Sequence, residues 1–198
     1  MYSFAQRVDT EVFDEPFFAH FLKKTGVDRP SREEVLATMS SDADEIHNRW
    51  EAAHKPCVFL KHMANHLEGL DTSRFENHHH VILTRDPRKV LRSYVTHVKA
   101  PTLLDLCYAH QWRWLQYCEE NNWPVVVLDS DALVANPEGS LKRLCEWLNL
   151  NFSSEMLHWE PGPRIEDGVW AKYWYRTIHA STGWMSPKEA PIDAESVD

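Results

Sequence analysis

Apolar residues along this chain fall in short runs set between stretches of helical periodicity. Four runs read as β-strands: Glu11 to Asp14, Cys57 to Lys61, His79 to Arg85 and Val125 to Asp129. The third and fourth are nearly continuous in apolar residues, the pattern of parallel strands covered on both faces. Between the strands, Leu141, Leu144, Cys145 and Leu148 recur at helical spacing, and a helix from about Leu103 to Asn121 brings Leu104, Cys107, Tyr108, Leu115 and Cys118 near one face. Ser31 with Glu34 has the form of a capping box, and Asn136 before Pro137 that of a cap and first turn. Met1 to Arg7 reads as the middle of a helix, with no N-cap before it. Two polar or Pro/Gly-rich segments, Asp71 to His80 and Trp159 to Gly168, read as loops. Strands separated by helices predict an α/β fold, a parallel sheet flanked by helices, with ligands at the carboxyl ends of the strands. No internal repeat divides the chain, so residues 1–184 are expected to form one domain and residues 185–198 a flexible tail.

Composition narrows the function classes. The 198 residues suit a single domain, and 21 basic against 30 acidic side chains give a net charge of −9. That balance argues against a general nucleic-acid coat or a basic membrane patch, while leaving room for a local basic site. No stretch reaches the roughly 18 apolar residues of a membrane span, and the N-terminus does not read as a secretion signal. A soluble, cytoplasmic protein is expected, and Cys57, Cys107, Cys118 and Cys145 agree, being too scattered for a zinc site or a disulfide framework.

The segment His80 to Tyr94, HVILTRDPRKVLRSY, carries the most chemistry. An apolar strand ends at Arg85, Asp86 can cap the next helix, Pro87 suits its first turn, and Ser93 lies about two turns inside. A guanidinium fork and a hydroxyl converging beside a strand end would hold a phosphate; a capped helix with a surface Arg–Asp pair is the plainer reading. His62 and His66 stand four residues apart without the glutamate of a zinc-protease helix, and His78 to His80 alternate in direction, so no metal is expected.

This segment resembles the 3′-phosphate-binding motif of sulfotransferases that use 3′-phosphoadenosine 5′-phosphosulfate (PAPS): a strand ending in Arg, then Asp or Asn, then Pro, with a Ser eight residues after the Arg. Arg85, Asp86, Pro87 and Ser93 all match. The resemblance implies that Arg85 and Ser93 clasp the 3′-phosphate. Val125 to Leu150 is similar to a later strand and helix of the family, and Arg164 to Lys172, RIEDGVWAK, to the segment that closes over the nucleotide, with one spacing a residue shorter. It implies nucleotide contacts from Arg164, Trp170 and Lys172, against a packed core indole for Trp170.

Upstream, CVFLKHMANH, Cys57 to His66, looks like the segment in which cytosolic sulfotransferases place a lysine and a histidine base, although here no residue separates Lys61 from His62. The implied base is His62, with Glu15 and His66 as alternatives, and Lys61 would offset charge on the leaving oxygen. The resemblance extends to a branch that includes bacterial proteins and plant proteins labelled aminotransferase-like, although no pyridoxal-binding signature is visible. In that branch a strand and a phosphosulfate-cradling loop precede the segment resembling Met1 to Arg7. The implied fold is therefore a P-loop NTPase-like sulfotransferase fold, truncated at its N-terminus, whose unpaired edges would favour a homo-oligomer.

The implied function is transfer of a sulfuryl group from PAPS to a hydroxyl or amine of a small-molecule acceptor, releasing adenosine 3′,5′-bisphosphate (PAP) without a metal, impaired in a chain lacking the loop. The alternative is a non-catalytic nucleotide- or protein-binding module of the same fold. A phosphoryl-transferring kinase would need a Walker lysine and a magnesium aspartate, and neither motif is visible.

Overall fold

The β-branched and aliphatic runs form the four expected strands. In the computed structural model, which describes residues 1–95, 98 and 100–185, they are β1 (Thr10–Asp14), β2 (Cys57–Lys61), β3 (His80–Thr84) and β4 (Val125–Asp129). Of residues 185–198, expected as a tail, 186–198 lie outside the described residues. Around the strands are α1 (Tyr2–Ala5), α2 (Phe18–Thr25), α3 (Arg32–Thr38), α4 (Ala43–Glu51), α5 (Pro87–Tyr94), α6 (Tyr108–Glu120), α7 (Ser130–Ala135), α8 (Pro137–Trp147), α9 (Ala171–Trp174) and α10 (Arg176–His179). None of the described helices is long and apolar enough to cross a membrane.

The strands are parallel but do not make one continuous sheet. β1 pairs with β2, from Thr10 opposite Cys57 to Asp14 opposite Lys61, and β3 with β4, from His80 opposite Val125 to Thr84 opposite Asp129. Among the described residues, β2 and β3 therefore each have one strand neighbour, and the expected single sheet is two parallel pairs. Side chains rather than a backbone ladder join the pairs: Val12 and Phe59 of the first and Val81, Val126 and Leu128 of the second pack on one core with Phe4, Leu141, Leu144 and Met156.

Alternation along β1 and β2 covers both faces of the first pair. Val12 and Phe59 face that core, while Phe13 and Leu60 pack against Phe17, Ile46, Trp50, Leu67 and Phe75. The second pair is less covered than its apolar runs predict, since Leu83 is 50% and Val127 48% exposed.

Capping follows sequence in some places and not in others. Asp86 accepts a hydrogen bond from the Arg88 amide at 2.9 Å, and Asn136 from the Gly139 amide at 3.0 Å, each with proline in the first turn. Ser31 sits at the start of α3 but in a left-handed conformation, φ 68°, with no side-chain cap bond, and Glu34 turns to Lys172, so the expected capping box does not form. α6 starts at Tyr108, not near Leu103, because Cys107 adopts φ 63° and breaks the helical path there.

Candidate functional site

The parallel register of β1 and β2 puts Asp14 and Lys61 side by side at the carboxyl ends of their strands. Glu15 continues from Asp14 in a left-handed conformation, φ 44°, unusual for a residue with a side chain. Its amide donates to the Lys61 carbonyl at 2.8 Å, and its own carbonyl accepts from the Phe18 amide at 2.9 Å. That bend swings the Glu15 carboxylate round to the Lys61 ammonium, with which it is paired.

Tyr175 completes the network from the far end of the chain. Its hydroxyl lies 2.8 and 2.9 Å from the two Asp14 carboxylate oxygens, and the Lys61 ammonium donates to it at 2.8 Å. Lys61 also stands 3.3 Å from Asp14 Oδ1, so one ammonium serves two carboxylates. Burial pulls the Lys61 amine down, but Glu15 and Asp14 outweigh it and hold it well above its ordinary value. Burial pushes the Asp14 carboxyl up, against the pull of Lys61 and with that of Glu15. The Asp14 side chain is fully covered and that of Lys61 largely so, at 28% exposed.

The two nearby histidines differ in position. His66 Nδ1 is 3.9 Å from Glu15 Oε2, with the ring stacked between Phe18 and Phe21 at 4.9 and 4.6 Å. His62, the first expected base, belongs instead to the aromatic layer of Phe17, Trp50 and Phe75. Burial pulls both imidazoles down to about 3, so each is neutral near pH 7. Lys61 and Glu15 are thus brought together, with His66 at their edge, and His62 faces another layer.

A second corner forms where β3 meets α5. Arg85 and Ser93 are both exposed, on the strand end and within α5 respectively. The Arg85 Nε donates to Asp131 Oδ1 at 3.1 Å, and Lys89 reaches the other oxygen at 2.8 Å. The Arg85 carbonyl accepts from the Tyr108 hydroxyl at 2.6 Å, and the Gln111 amide donates to the Leu83 carbonyl at 3.1 Å, so α6 fixes the backbone beneath this corner. The exposed Arg85 guanidinium thus sits above a fixed strand end with its Nε engaged by Asp131.

The C-terminal segment straps across α1. Asp167 accepts from the Tyr2 hydroxyl at 2.7 Å and from the Arg164 amide at 2.8 Å, and His179 Nε2 lies 2.9 Å from the same oxygen. Arg164 itself is held by Glu166 at 3.1 Å and stands 5.9 Å over the Tyr2 ring. Trp170 is buried among Phe18, Ala19, Leu22 and Val35 with its indole nitrogen unpartnered, the arrangement of a core indole. Lys172 is paired with Glu34 at the surface.

Two members of the first corner were not singled out from sequence. Asp14 carried a usable signal, because two parallel strands ending together place their last residues side by side. Tyr175 carried none, being 161 residues from the aspartate it contacts. Among the described residues, no group of three or more His, Cys, Asp or Glu side chains is arranged to hold a metal ion.

Comparison with known proteins bears on this arrangement. A family model described as a sulfotransferase domain matches residues 1–198. Branched-chain-amino-acid aminotransferase-like protein 1 of Arabidopsis thaliana is 40% identical over 194 residues, covering 96% of this chain and 35% of that protein. Branched-chain-amino-acid aminotransferase-like protein 2 of the same plant is 38% identical over 194 residues, covering 96% and 34%. The chain thus spans about a third of the length of these curated relatives. A solved sulfotransferase domain from the curacin biosynthetic pathway is similar with a TM-score of 0.46 and 18% identity, over 82% of this chain and 62% of that one.

Proposed function

The chain belongs to the sulfotransferase domain family, and from that premise we propose that it carries the 3′-phosphate grip and the acceptor-activating corner of a PAPS-dependent sulfotransferase. The observation that carries this reading is the Glu15–Lys61 pair at the carboxyl ends of β1 and β2. PAPS would supply the electrophilic sulfur. Glu15 then accepts the proton from the acceptor's hydroxyl or amine as its oxygen or nitrogen bonds to sulfur, and Lys61 offsets the charge left on the phosphate oxygen as the sulfur–oxygen bond breaks. PAP and the sulfated acceptor leave, and atoms and charge balance without a covalent intermediate.

In this reading Glu15 displaces His62 as the base. His62 packs among Phe17, Trp50 and Phe75, and an imidazole held near 3 is a weak proton acceptor. Arg85 and Ser93 are assigned the 3′-phosphate; Arg164 and Lys172 follow as nucleotide contacts on the family resemblance alone, while Trp170, buried in the core, is left to packing. A small-molecule acceptor and a cytoplasmic setting belong to the same proposal.

A second reading, a non-catalytic nucleotide- or protein-binding module of the same fold, is favoured by one observation: Arg85 is already engaged by Asp131. Calorimetric titration of PAP into this protein, beside Arg85→Ala, tests the nucleotide site. Saturable micromolar binding lost in the variant supports the proposal, and no binding by a well-folded protein overturns it. Binding of PAP that survives Glu15→Gln with any sulfation also surviving would remove Glu15 from the reaction and leave the module reading standing.

A further inference from the structure

In the first corner one ammonium stands between two carboxylates, and one hydroxyl contacts both the ammonium and a carboxylate. Lys61 donates to Glu15 and, at 2.8 Å, to the Tyr175 hydroxyl, while Asp14 Oδ1 lies farther off at 3.3 Å. The same hydroxyl lies 2.9 and 2.8 Å from the two Asp14 oxygens, so it gives its one proton to that carboxylate while accepting from the ammonium. The Tyr175 oxygen is thus inserted where a direct Lys61–Asp14 hydrogen bond would otherwise form.

The two carboxylates differ in how much they need a donor. The Asp14 side chain is fully covered and that of Glu15 is 10% exposed. A covered carboxylate without a donor is costly, and the Tyr175 hydroxyl meets that need at Asp14. Without the hydroxyl, Asp14 would draw the ammonium that stands 3.3 Å away, and Glu15 would lose it.

Contacts outside the corner set where this hydroxyl sits. Tyr175 lies between α9 and α10, with its ring edge to face against Tyr2 at 6.3 Å and His179 at 6.0 Å. Asp167 in turn ties Tyr2 and His179 together through one carboxylate oxygen. A group held independently of Asp14 and Glu15 is able to favour one of them over the other.

We propose that Tyr175 is a positioning residue: by engaging Asp14, its hydroxyl commits Lys61 to Glu15 and keeps the ammonium and the proton-accepting carboxylate together at the strand ends. Its role in a reaction rests on the sulfotransferase reading; the division of the ammonium rests on the contacts alone. The hydroxyl reaches Asp14 from 161 residues away, so the corner takes its working form only with this C-terminal segment in place.

The test reads the NMR scalar coupling that passes through a hydrogen bond from Lys61 Nζ to a carboxylate carbon, in protein carrying isotope-labelled lysine, aspartate and glutamate. In the parent protein, coupling to Glu15 Cδ is expected and coupling to Asp14 Cγ is not. Tyr175→Phe removes the hydroxyl and keeps the ring against Tyr2 and His179; there the coupling is expected to pass from Glu15 to Asp14. In the double variant Tyr175→Phe, Asp14→Asn the competing charge is gone, and coupling to Glu15 is expected to return, a non-additive pattern that a merely structural role would not give. Coupling to Glu15 that survives Tyr175→Phe, coupling lost there without appearing at Asp14, coupling that stays lost in the double variant, or a parent ammonium coupled to neither carboxylate overturns the proposal. If Tyr175→Phe alone does not fold, a folded double variant upholds the competition for the ammonium and an unfolded one overturns it. PAP titrated into the same samples separates the two readings: PAP binding with couplings that do not move sinks the role of Tyr175 alone, while couplings that move as expected without PAP binding uphold the division of the ammonium and sink its sulfotransferase setting.

Discussion

The two corners at the strand ends are built on opposite principles. At Asp14–Lys61 the charges are covered, each group has two or more partners, and Tyr175 braces them from the C-terminal strap. At Arg85–Ser93 the side chains are exposed, and the guanidinium is held by one ion pair to Asp131. The first arrangement is set before any ligand arrives, as charge stabilisation during a reaction requires. The second costs little to rearrange, which suits the proposed capture and release of a phosphate. The difference teaches that stability and ligand binding should come apart at these corners, and mutation can test that.

The largest effect is expected from Lys61→Ala. It leaves Asp14 and Glu15 facing each other without a counter-charge, and breaking one side of a covered ion network typically costs about 3 to 5 kcal/mol. Chemical denaturation should report a loss of that order. A loss below about 1 kcal/mol would mean that solvent screens the corner and that the contrast between the two corners is false.

How legible these corners were depends on the range of their contacts. In the Arg85 corner the cap, the proline and the serine spacing are local to one strand-to-helix turn and legible in sequence, whereas Asp131, Tyr108 and Gln111 reach it from elsewhere in the chain and were not. In the first corner Lys61 and Glu15 were legible as candidates, but their meeting depends on the pairing of β1 with β2, and the brace depends on Tyr175, far away in sequence. The placement of His62 was not legible for a related reason: adjacency to Lys61 in sequence carries no information about which layer its ring enters once the strand has ended. The fold class followed from strand runs whose bounds are set by local periodicity. The split into two strand pairs did not, because pairing is a nonlocal choice that periodicity leaves open.

Acid sharpens the same contrast. His62 and His66 are held near 3 by burial in the folded protein, against 6.5 when free. Their folded-state values are depressed, so the unfolded chain binds more protons between those limits. The stability that comes from keeping them neutral is fully present above about pH 6.5 and falls as the pH drops through the window. At pH 5 the expected cost is about 2 kcal/mol for each histidine. Asp14 runs the other way, since its raised folded-state value adds stability at low pH and loses it as pH rises through that value. Denaturation at pH 7.5 and pH 5 should show the loss, and the double variant His62→Gln, His66→Gln should reduce it while leaving the share of His80, which burial holds at about 4. A flat profile in the parent protein would show that these rings reach water, and with it that the layer beneath the first corner is open.

The smallest effect on folding, and the sharpest on binding, is expected at Asp131. Its carboxylate holds Arg85 and Lys89 at once, at 3.1 and 2.8 Å, with all three side chains at the surface. Exposed pairs of this kind contribute little to stability, so Asp131→Asn should leave the melting temperature unchanged. The backbone below is anchored by Tyr108 and Gln111, neither of which depends on Asp131, so the strand end keeps its position. A phosphate arriving at Arg85 competes with that carboxylate for the same guanidinium. Removing the competitor's charge frees two cations, and PAP affinity should rise about threefold, the effect of a single screened charge interaction at a surface. A rise that disappears at high salt would show that the ion pair acts as a gate on the phosphate site. Affinity that falls instead would mean that Asp131 positions Arg85 for the phosphate, and the second corner would then be as preorganised as the first.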